Sequence, residues 1–317
     1  MCIYAALLIS MPEYRVFFQK LPKTVSMPTI EETLKHLTQQ LQTLYEEPEA
    51  RTMAEWVLQY LLETGRMGLL QRRQEPVPTG LGDQVQQCLE RLLQHEPLQY
   101  VLGEASFYGR DFKVTPAVLI PRPETEELVQ RIIKTYQHQH QHQVRLLDIG
   151  TGSGCIPITL AAELPTAQVW GLDVSEEALA VARSNAEAIN QQVTWLHQDI
   201  LQEVPALEAN SLDAVISNPP YVLEEEKNLM RENVLAFEPH LALFVPNEDP
   251  LLFYRRIAQV AQTLLKPGGR LFFEINERYA GQTESLLQEL GYQGIRLYQD
   301  LRGKDRMAEA LWPGKLG

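Results

Sequence analysis

Leu146-Leu147-Asp148-Ile149-Gly150-Thr151-Gly152-Ser153-Gly154 is the stretch that decides the fold. An apolar run enters an acid and then three alternating glycines, the pattern of a strand turning tightly into a helix. Glycine lets the backbone turn there and come close to a ligand, since any Cβ would occupy that space. The spacing is G-x-G-x-G and not the G-x-G-x-x-G of most nicotinamide binders. A glycine trio alone also suits an ordinary strand–helix turn, so the surroundings must decide. Strand patterns at Val144–Ile149, Gln168–Asp173, Val193–His197, Ala214–Ser217 and Arg270–Ile275 alternate with helical patterns at Cys155–Glu163, Ser175–Asn190, Leu251–Leu265 and Gly281–Leu290. Such alternation predicts a parallel, doubly wound α/β sheet. Two last runs, Ile295–Gln299 and Met307–Leu311, predict an antiparallel hairpin on its edge.

Acids punctuate the strand ends. Asp173 lies 19 residues past Gly154 (173 − 154), where a carboxylate can hold the two hydroxyls of a ribose. The alternative is that Asp173 only caps the helix beginning near Ser175. Asp199-Ile200 ends the next strand, where an acid can meet an adenine amino group and an apolar side chain can pack on the ring. Together these positions describe a cofactor containing adenosine. The fourth strand runs into Ser217-Asn218-Pro219-Pro220-Tyr221. Two prolines remove two N–H donors and leave nearby carbonyls free to accept. Asn218 adds an amide oxygen as acceptor, and Tyr221 a flat aromatic face. A rigid strand-ending turn would explain a bare Pro-Pro, but not one placed at the switch point of this sheet.

D-x-G-x-G-x-G, an acid ending the next strand, and NPPY after the fourth resemble the class I S-adenosylmethionine-dependent methyltransferases. Within them, NPPY marks enzymes that methylate a planar conjugated nitrogen, either the adenine amino group or the glutamine side-chain amide. Glu96–Gly109 (EPLQYVLGEASFYG), Leu119–Val129 (LIPRPETEELV) and Phe237–Phe244 (FEPHLALF) resemble the glutamine methyltransferases of class I peptide chain release factors, the PrmC/HemK family. The resemblance runs from about Pro28 to Trp312. It implies a Rossmann-like seven-stranded sheet with a small all-helical N-terminal domain, S-adenosyl-L-methionine as cofactor and no metal. By position, it implies that Gly150, Thr151, Gly152, Ser153 and Gly154 line the methionine and ribose part, Asp173 holds the ribose and Asp199 with Ile200 the adenine. Asn218 would touch both cofactor and substrate, with Pro219, Pro220 and Tyr221 completing the amide pocket; Asn218, Pro219 and Tyr221 are the candidate catalytic residues. Arg122-Pro123 and Glu124 resemble the family's stretch over the cofactor mouth. The substrate so implied is the glutamine of the GGQ loop of a release factor, methylated on N5.

The rest of the 317-residue chain is read around that centre. At about 150 residues per domain the length allows two domains. Residues 1–26 are read as a leader, disordered or ahead of the native start at Met27. A helical domain over 27–105 opens with a capping box, Thr29 and Glu32, and a face of Ile30, Leu34, Leu37, Leu41 and Leu44. Further helices are expected at Ala50–Thr64 and Asp83–His95, a hairpin linker over 106–118, a helix from Glu124 to Tyr136, and the catalytic domain over 119–317. The helical domain is assigned to partner recognition, against the alternative of packing alone. Gln137–Gln143 (QHQHQHQ) could chelate a metal, but a solvated low-complexity loop is the preferred reading, since no carboxylate or thiolate nearby completes a shell. Three scattered cysteines, Cys2, Cys88 and Cys155, supply neither a disulfide framework nor a metal site. No run approaches the ~20 apolar residues of a membrane span, so a cytoplasmic protein, a monomer without membrane contact, is expected.

Charge separates the two acceptor classes. The net charge is −13, and residues 201–250 hold 10 Asp and Glu against 2 Lys and Arg, a local −8 around NPPY. A phosphate backbone would be repelled there, whereas a basic loop on a protein would be attracted. The expectation is therefore a protein substrate with no stable nucleic acid contact. An adenine amino-group methyltransferase acting on DNA or RNA is the competing enzyme, and a non-catalytic module that keeps the fold is the competing binder.

Overall fold

Alternating residues of each central strand enter two different cores, and this period of two builds the layers. The structure, a computed structural model, describes residues 27–139 and 143–314. Residues 1–26, and His140 and His142 of the histidine-rich segment, lie outside the described residues. The chain divides into two compact units, the first ending at Leu102 and the second beginning at Gly103.

The first unit is helical: α1 (Ile30–Leu41), α2 (Glu47–Leu61), α3 (Arg66–Gln71), α4 (Leu81–Leu92) and α5 (Leu98–Leu102). The capping box forms as expected. Thr29 Oγ1 accepts the Glu32 N–H at 3.2 Å, and Glu32 Oε2 accepts the Thr29 N–H at 2.8 Å. Ile30, Leu34, Leu37 and Leu41 enter the core, while Leu44 falls beyond the helix end and is 40% exposed. α2 starts three residues before the sequence suggests, because Pro48 suits the first helical turn. Arg91 closes the unit by donating to Glu96 and to the Tyr100 and Val101 carbonyls, at 2.9 and 3.0 Å for the latter two.

The second unit opens with a hairpin, β1 (Glu104–Phe107) and β2 (Arg110–Lys113). This hairpin was expected as a linker over 106–118. It spans 104–113 instead and is part of the second unit's core, with Phe107 and Phe112 fully buried against Leu128 and Ile132. After α6 (Pro123–Tyr136) come β3 (Arg145–Ile149), α7 (Cys155–Glu163), β4 (Gln168–Asp173), α8 (Glu176–Ala188), β5 (Thr194–His197) and β6 (Leu212–Ser217). A segment of short elements follows, with β7 (Val222–Leu223), α9 (Glu232–Phe237) and β8 (Phe244–Val245). The chain ends with α10 (Leu252–Leu264), β9 (Leu265–Glu274), α11 (Ala280–Glu289), β10 (Gln293–Gln299) and β11 (Asp305–Leu311).

The seven-stranded sheet has the order β10-β11-β9-β6-β3-β4-β5, with β9 to β5 parallel and the β10–β11 hairpin antiparallel at one edge. Leu147, Ile149, Val215 and Phe273 face α10 and α11 on one side; Leu146, Ala214, Ile216 and Phe272 face α6 and α7 on the other. The strand order reverses direction of growth between β3 and β6, so the carboxyl ends of β3, β4 and β6 open onto one crevice. In such sheets ligands sit at that switch point.

Candidate active site

The turn after β3 is built on left-handed backbone. Gly150, Gly152 and Gly154 have φ of 77, 53 and 79°, a region costly for side-chain-bearing residues. They serve different purposes. A Cβ on Gly150 or Gly152 would point into open space, whereas one on Gly154 would sit 2.9 Å from Ile158 Cδ1 and 3.1 Å from Ala182 and Trp195. Gly154 therefore lets α7 pack closely, and Gly150 and Gly152 leave the cavity wall bare.

That cavity, about 220 Å³, is lined by Gly150, Gly152 and Asp173 and also by Asn218, Pro219 and Pro220. Asp199 and Ile200 line the same cavity. Of the expected cofactor residues, Thr151, Ser153 and Gly154 are not in its wall; Thr151 and Ser153 are 4% and 2% exposed and point into the protein. Tyr221 lies just outside the lining and packs on the core that holds Tyr254. Val174, Leu201 and Leu241 are exposed apolar side chains that line the cavity. Unpartnered apolar surface of this kind suits a flat ring.

Asp173 is held in place rather than free. Its Oδ2 accepts the Gly152 N–H at 2.8 Å and its Oδ1 the Ser175 N–H at 3.0 Å. Ser175, and not Asp173, caps α8 through the Ala178 N–H at 3.1 Å. Each Asp173 oxygen keeps a further lone pair for a ligand hydroxyl. Burial pushes its carboxyl above the usual range, opposed by the backbone N–H groups it accepts. Asp199 is also braced, by the Leu201 N–H at 2.9 Å and Gln202 Nε2 at 2.8 Å.

Two wall segments are joined across the mouth. Glu238, of FEPH, is buried; it accepts Arg122 Nη2 at 2.6 Å and the Ile120 N–H at 3.3 Å. The ion pair ties the Ala117–Leu119 wall to the Pro239, Leu241 and Ala242 wall. Among the described residues no group of histidine, cysteine and acids could hold a metal, and no helix is long and apolar enough to cross a membrane.

Residues 125–240 match the family model described as "Methyltransferase small domain", and residues 32–103 that described as "PrmC N-terminal domain". The release factor glutamine methyltransferase of Bacteroides thetaiotaomicron is 43% identical over 87% of this chain and 97% of its own length. The chain belongs to the release factor glutamine methyltransferase family. The relative from Flavobacterium psychrophilum is 46% identical over 69% of this chain and 76% of its own, and that from Enterococcus faecalis 40% identical over 75% and 83%.

S-adenosyl-L-methionine is the cofactor of these methyltransferases, and the residues present fit it. Bare backbone at Gly150 and Gly152, two braced carboxylates and an apolar strip of Val174, Ile200 and Leu201 line one cavity. In this glutamine methyltransferase, two residues were missed by sequence reasoning: Thr125, within the LIPRPETEELV stretch but given no role there, and Glu274, outside every motif. Thr125 Oγ1 accepts Asn218 Nδ2 at 3.3 Å, and Glu274 at the end of β9 accepts the Thr125 hydroxyl at 2.6 Å. Glu274 carried a signal, an acid closing the apolar run Leu271-Phe272-Phe273, as Asp173 closes β4. Thr125 carried none, because its partners come from distant parts of the chain.

Proposed function

We propose that the protein transfers a methyl group to the side-chain amide nitrogen of the glutamine in the GGQ loop of class I release factors, tuning translation termination. The observation that carries this is Asn218, Pro219 and Pro220 lining the same cavity as the glycine turn. Membership of a family whose relatives bear that activity's name supports it.

S-adenosyl-L-methionine, when bound, supplies a sulfonium methyl as the electrophile and leaves as a neutral thioether. Gly150, Gly152 and Asp173 would hold its methionine and ribose parts, and Asp199 and Ile200 its adenine. A primary amide is a poor nucleophile, because its nitrogen lone pair is delocalised into the carbonyl. Asn218 Oδ1 and the Pro219 carbonyl accept the two amide N–H bonds, aim the nitrogen and favour positive charge growing on it. Pro219 and Pro220 bring no N–H that would compete for those acceptors. Tyr221, just outside the cavity lining, would flank the amide from behind Pro220 in the chain. The methylated nitrogen is strongly acidic, so its proton passes to solvent without a dedicated base.

The helical domain recognises the release factor, since a short glutamine loop offers few contacts. The −8 of residues 201–250 favours a basic protein loop over an adenine in nucleic acid. The enzyme acts in the cytoplasm as a monomer. The test is incubation of purified protein with release factor and labelled cofactor, followed by mass spectrometry. One added methyl on the GGQ glutamine is expected, and loss of at least roughly 100-fold in Asn218→Ala with only moderate weakening of cofactor binding. No transfer to release factor, or near-normal turnover in Asn218→Ala, refutes the reading.

A further inference from the structure

Glu274 lies at the carboxyl end of β9, 1% exposed, beneath the NPPY turn. Its two oxygens take different partners. Oε2 accepts the Thr125 hydroxyl at 2.6 Å, and Oε1 accepts the Tyr221 phenol at 3.4 Å. Thr125 is itself 3% exposed, and its Oγ1 accepts Asn218 Nδ2 at 3.3 Å. One buried carboxylate thus connects the first and last residues of the acceptor motif. Asn276 braces the same turn, donating from Nδ2 to the Tyr221 carbonyl at 3.2 Å.

The direction of this relay is set by the number of protons. An ionised carboxylate only accepts. A hydroxyl has a single proton, and Thr125 gives its own to Glu274. Oγ1 then offers lone pairs alone, so the Asn218 atom facing it must be the N–H-bearing one. The 2.6 Å contact falls in the range of a hydroxyl on a charged oxygen. Burial pushes the Glu274 carboxyl up, and the Thr125 hydroxyl, Arg306 and Tyr221 pull against it. Arg306, 3.4 Å from Asp300, supplies compensating positive charge near the buried site.

We infer that Thr125 and Glu274 are positioning residues that fix the sense of the Asn218 amide, turning its nitrogen into the wall and leaving its oxygen for the substrate N–H. This rests on the amide-methylating reading above. With the amide reversed, Asn218 would face the substrate N–H with its own N–H, donor against donor. A glutamine at position 274 keeps the shape but offers one donor and one acceptor, so the relay can run in either sense. A valine at 125 keeps the volume and removes the relay. A serine keeps it.

The experiment compares wild type with Thr125→Val, Thr125→Ser and Glu274→Gln by turnover on release factor, cofactor affinity, melting temperature and NMR of asparagine-labelled protein. In Thr125→Val, kcat is expected to fall roughly 5- to 10-fold, the effect of about one neutral hydrogen bond. Cofactor affinity and KM should stay within about twofold, and Thr125→Ser should restore turnover. Glu274→Gln should lower kcat while melting like wild type. The Asn218 side-chain N–H₂ signals should move, and exchange faster with water, in Thr125→Val but not in Thr125→Ser. Unchanged turnover and unchanged Asn218 signals in Thr125→Val overturn the inference. So does a loss that tracks cofactor affinity or melting temperature and that serine does not rescue. The NMR comparison needs no substrate. It therefore tests the relay even if wild type leaves release factor unmodified, an outcome that would refute the substrate reading instead.

Discussion

Asp148 is the place where burial should be measurable as stability. It sits on β3 between Gly171 of β4 and Ile216 of β6, fully buried, and neither oxygen has a hydrogen-bond partner of normal geometry among the described residues. Burial pushes its carboxyl from 3.8 up to about 7, against the smaller pull of the nearby Thr151 hydroxyl. Below about pH 4 both folded and unfolded chains hold the proton, and the shift costs nothing. As pH rises from there towards 7, the unfolded chain ionises while the folded one keeps its proton, so stability is lost across that window. Three pKa units correspond to roughly 4 kcal/mol, fully expressed above pH 7. An asparagine at 148 cannot ionise, so Asp148→Asn should gain on wild type by roughly 2 to 3 kcal/mol between pH 5 and pH 8. Urea unfolding of both proteins without cofactor, at several pH values and followed by a probe in the second unit, measures that difference. A gap that stays constant with pH would show that Asp148 is not a buried acid of raised pKa. A variant less stable than wild type at pH 8 would show that the carboxylate has partners that compensate for its burial.

The remaining consequences concern packing, the mouth of the cavity and charge. Gly154→Ala should destabilise by about 2 kcal/mol or more, from strained φ plus the clash with Ile158, Ala182 and Trp195, while Gly150→Ala carries the φ strain of about 1 kcal/mol alone. Melting temperatures in the opposite order would contradict the division of labour within the turn. Glu238→Gln should release Arg122 and loosen the two walls, raising the cofactor Kd roughly tenfold by calorimetry with the fold intact. An unchanged Kd would mean that the ion pair does not shape the cavity. Transfer to release factor should slow as salt rises from ~50 to ~300 mM through KM rather than kcat, because the acidic stretch 201–250 attracts its partner over about a Debye length. Salt-insensitive KM would remove electrostatics from substrate choice.

What the sequence made readable was periodic or local; what it hid was set by the order of the strands. β3 to β6, α7 and α8 were placed within a few residues, because buried parallel strands are short apolar runs and helices repeat every three to four. Leu44 was assigned to a helix face it does not reach, since spacing cannot say where a helix stops. The hairpin was taken for a linker because its anchors, Phe107 and Phe112, bury against residues of α6 that lie later in the chain. Within the glycine turn, the family resemblance treated all five residues alike. The fold divides them: Gly150 and Gly152 face the cavity, Thr151 and Ser153 face inward, and Gly154 gives way to Trp195. Asp148 and Glu274 make the same point more sharply. Each is an acid at or next to the end of an apolar strand and each is buried, and only Asp148 belongs to a motif. Glu274 is separated from Thr125 by 149 positions yet receives its hydroxyl, because the fold brings the end of β9 to the start of α6. Asp148, two strands away, receives none. The chemistry of a buried acid therefore depends on which donors the strand order delivers to it, and that information is carried by the whole sheet rather than by any motif.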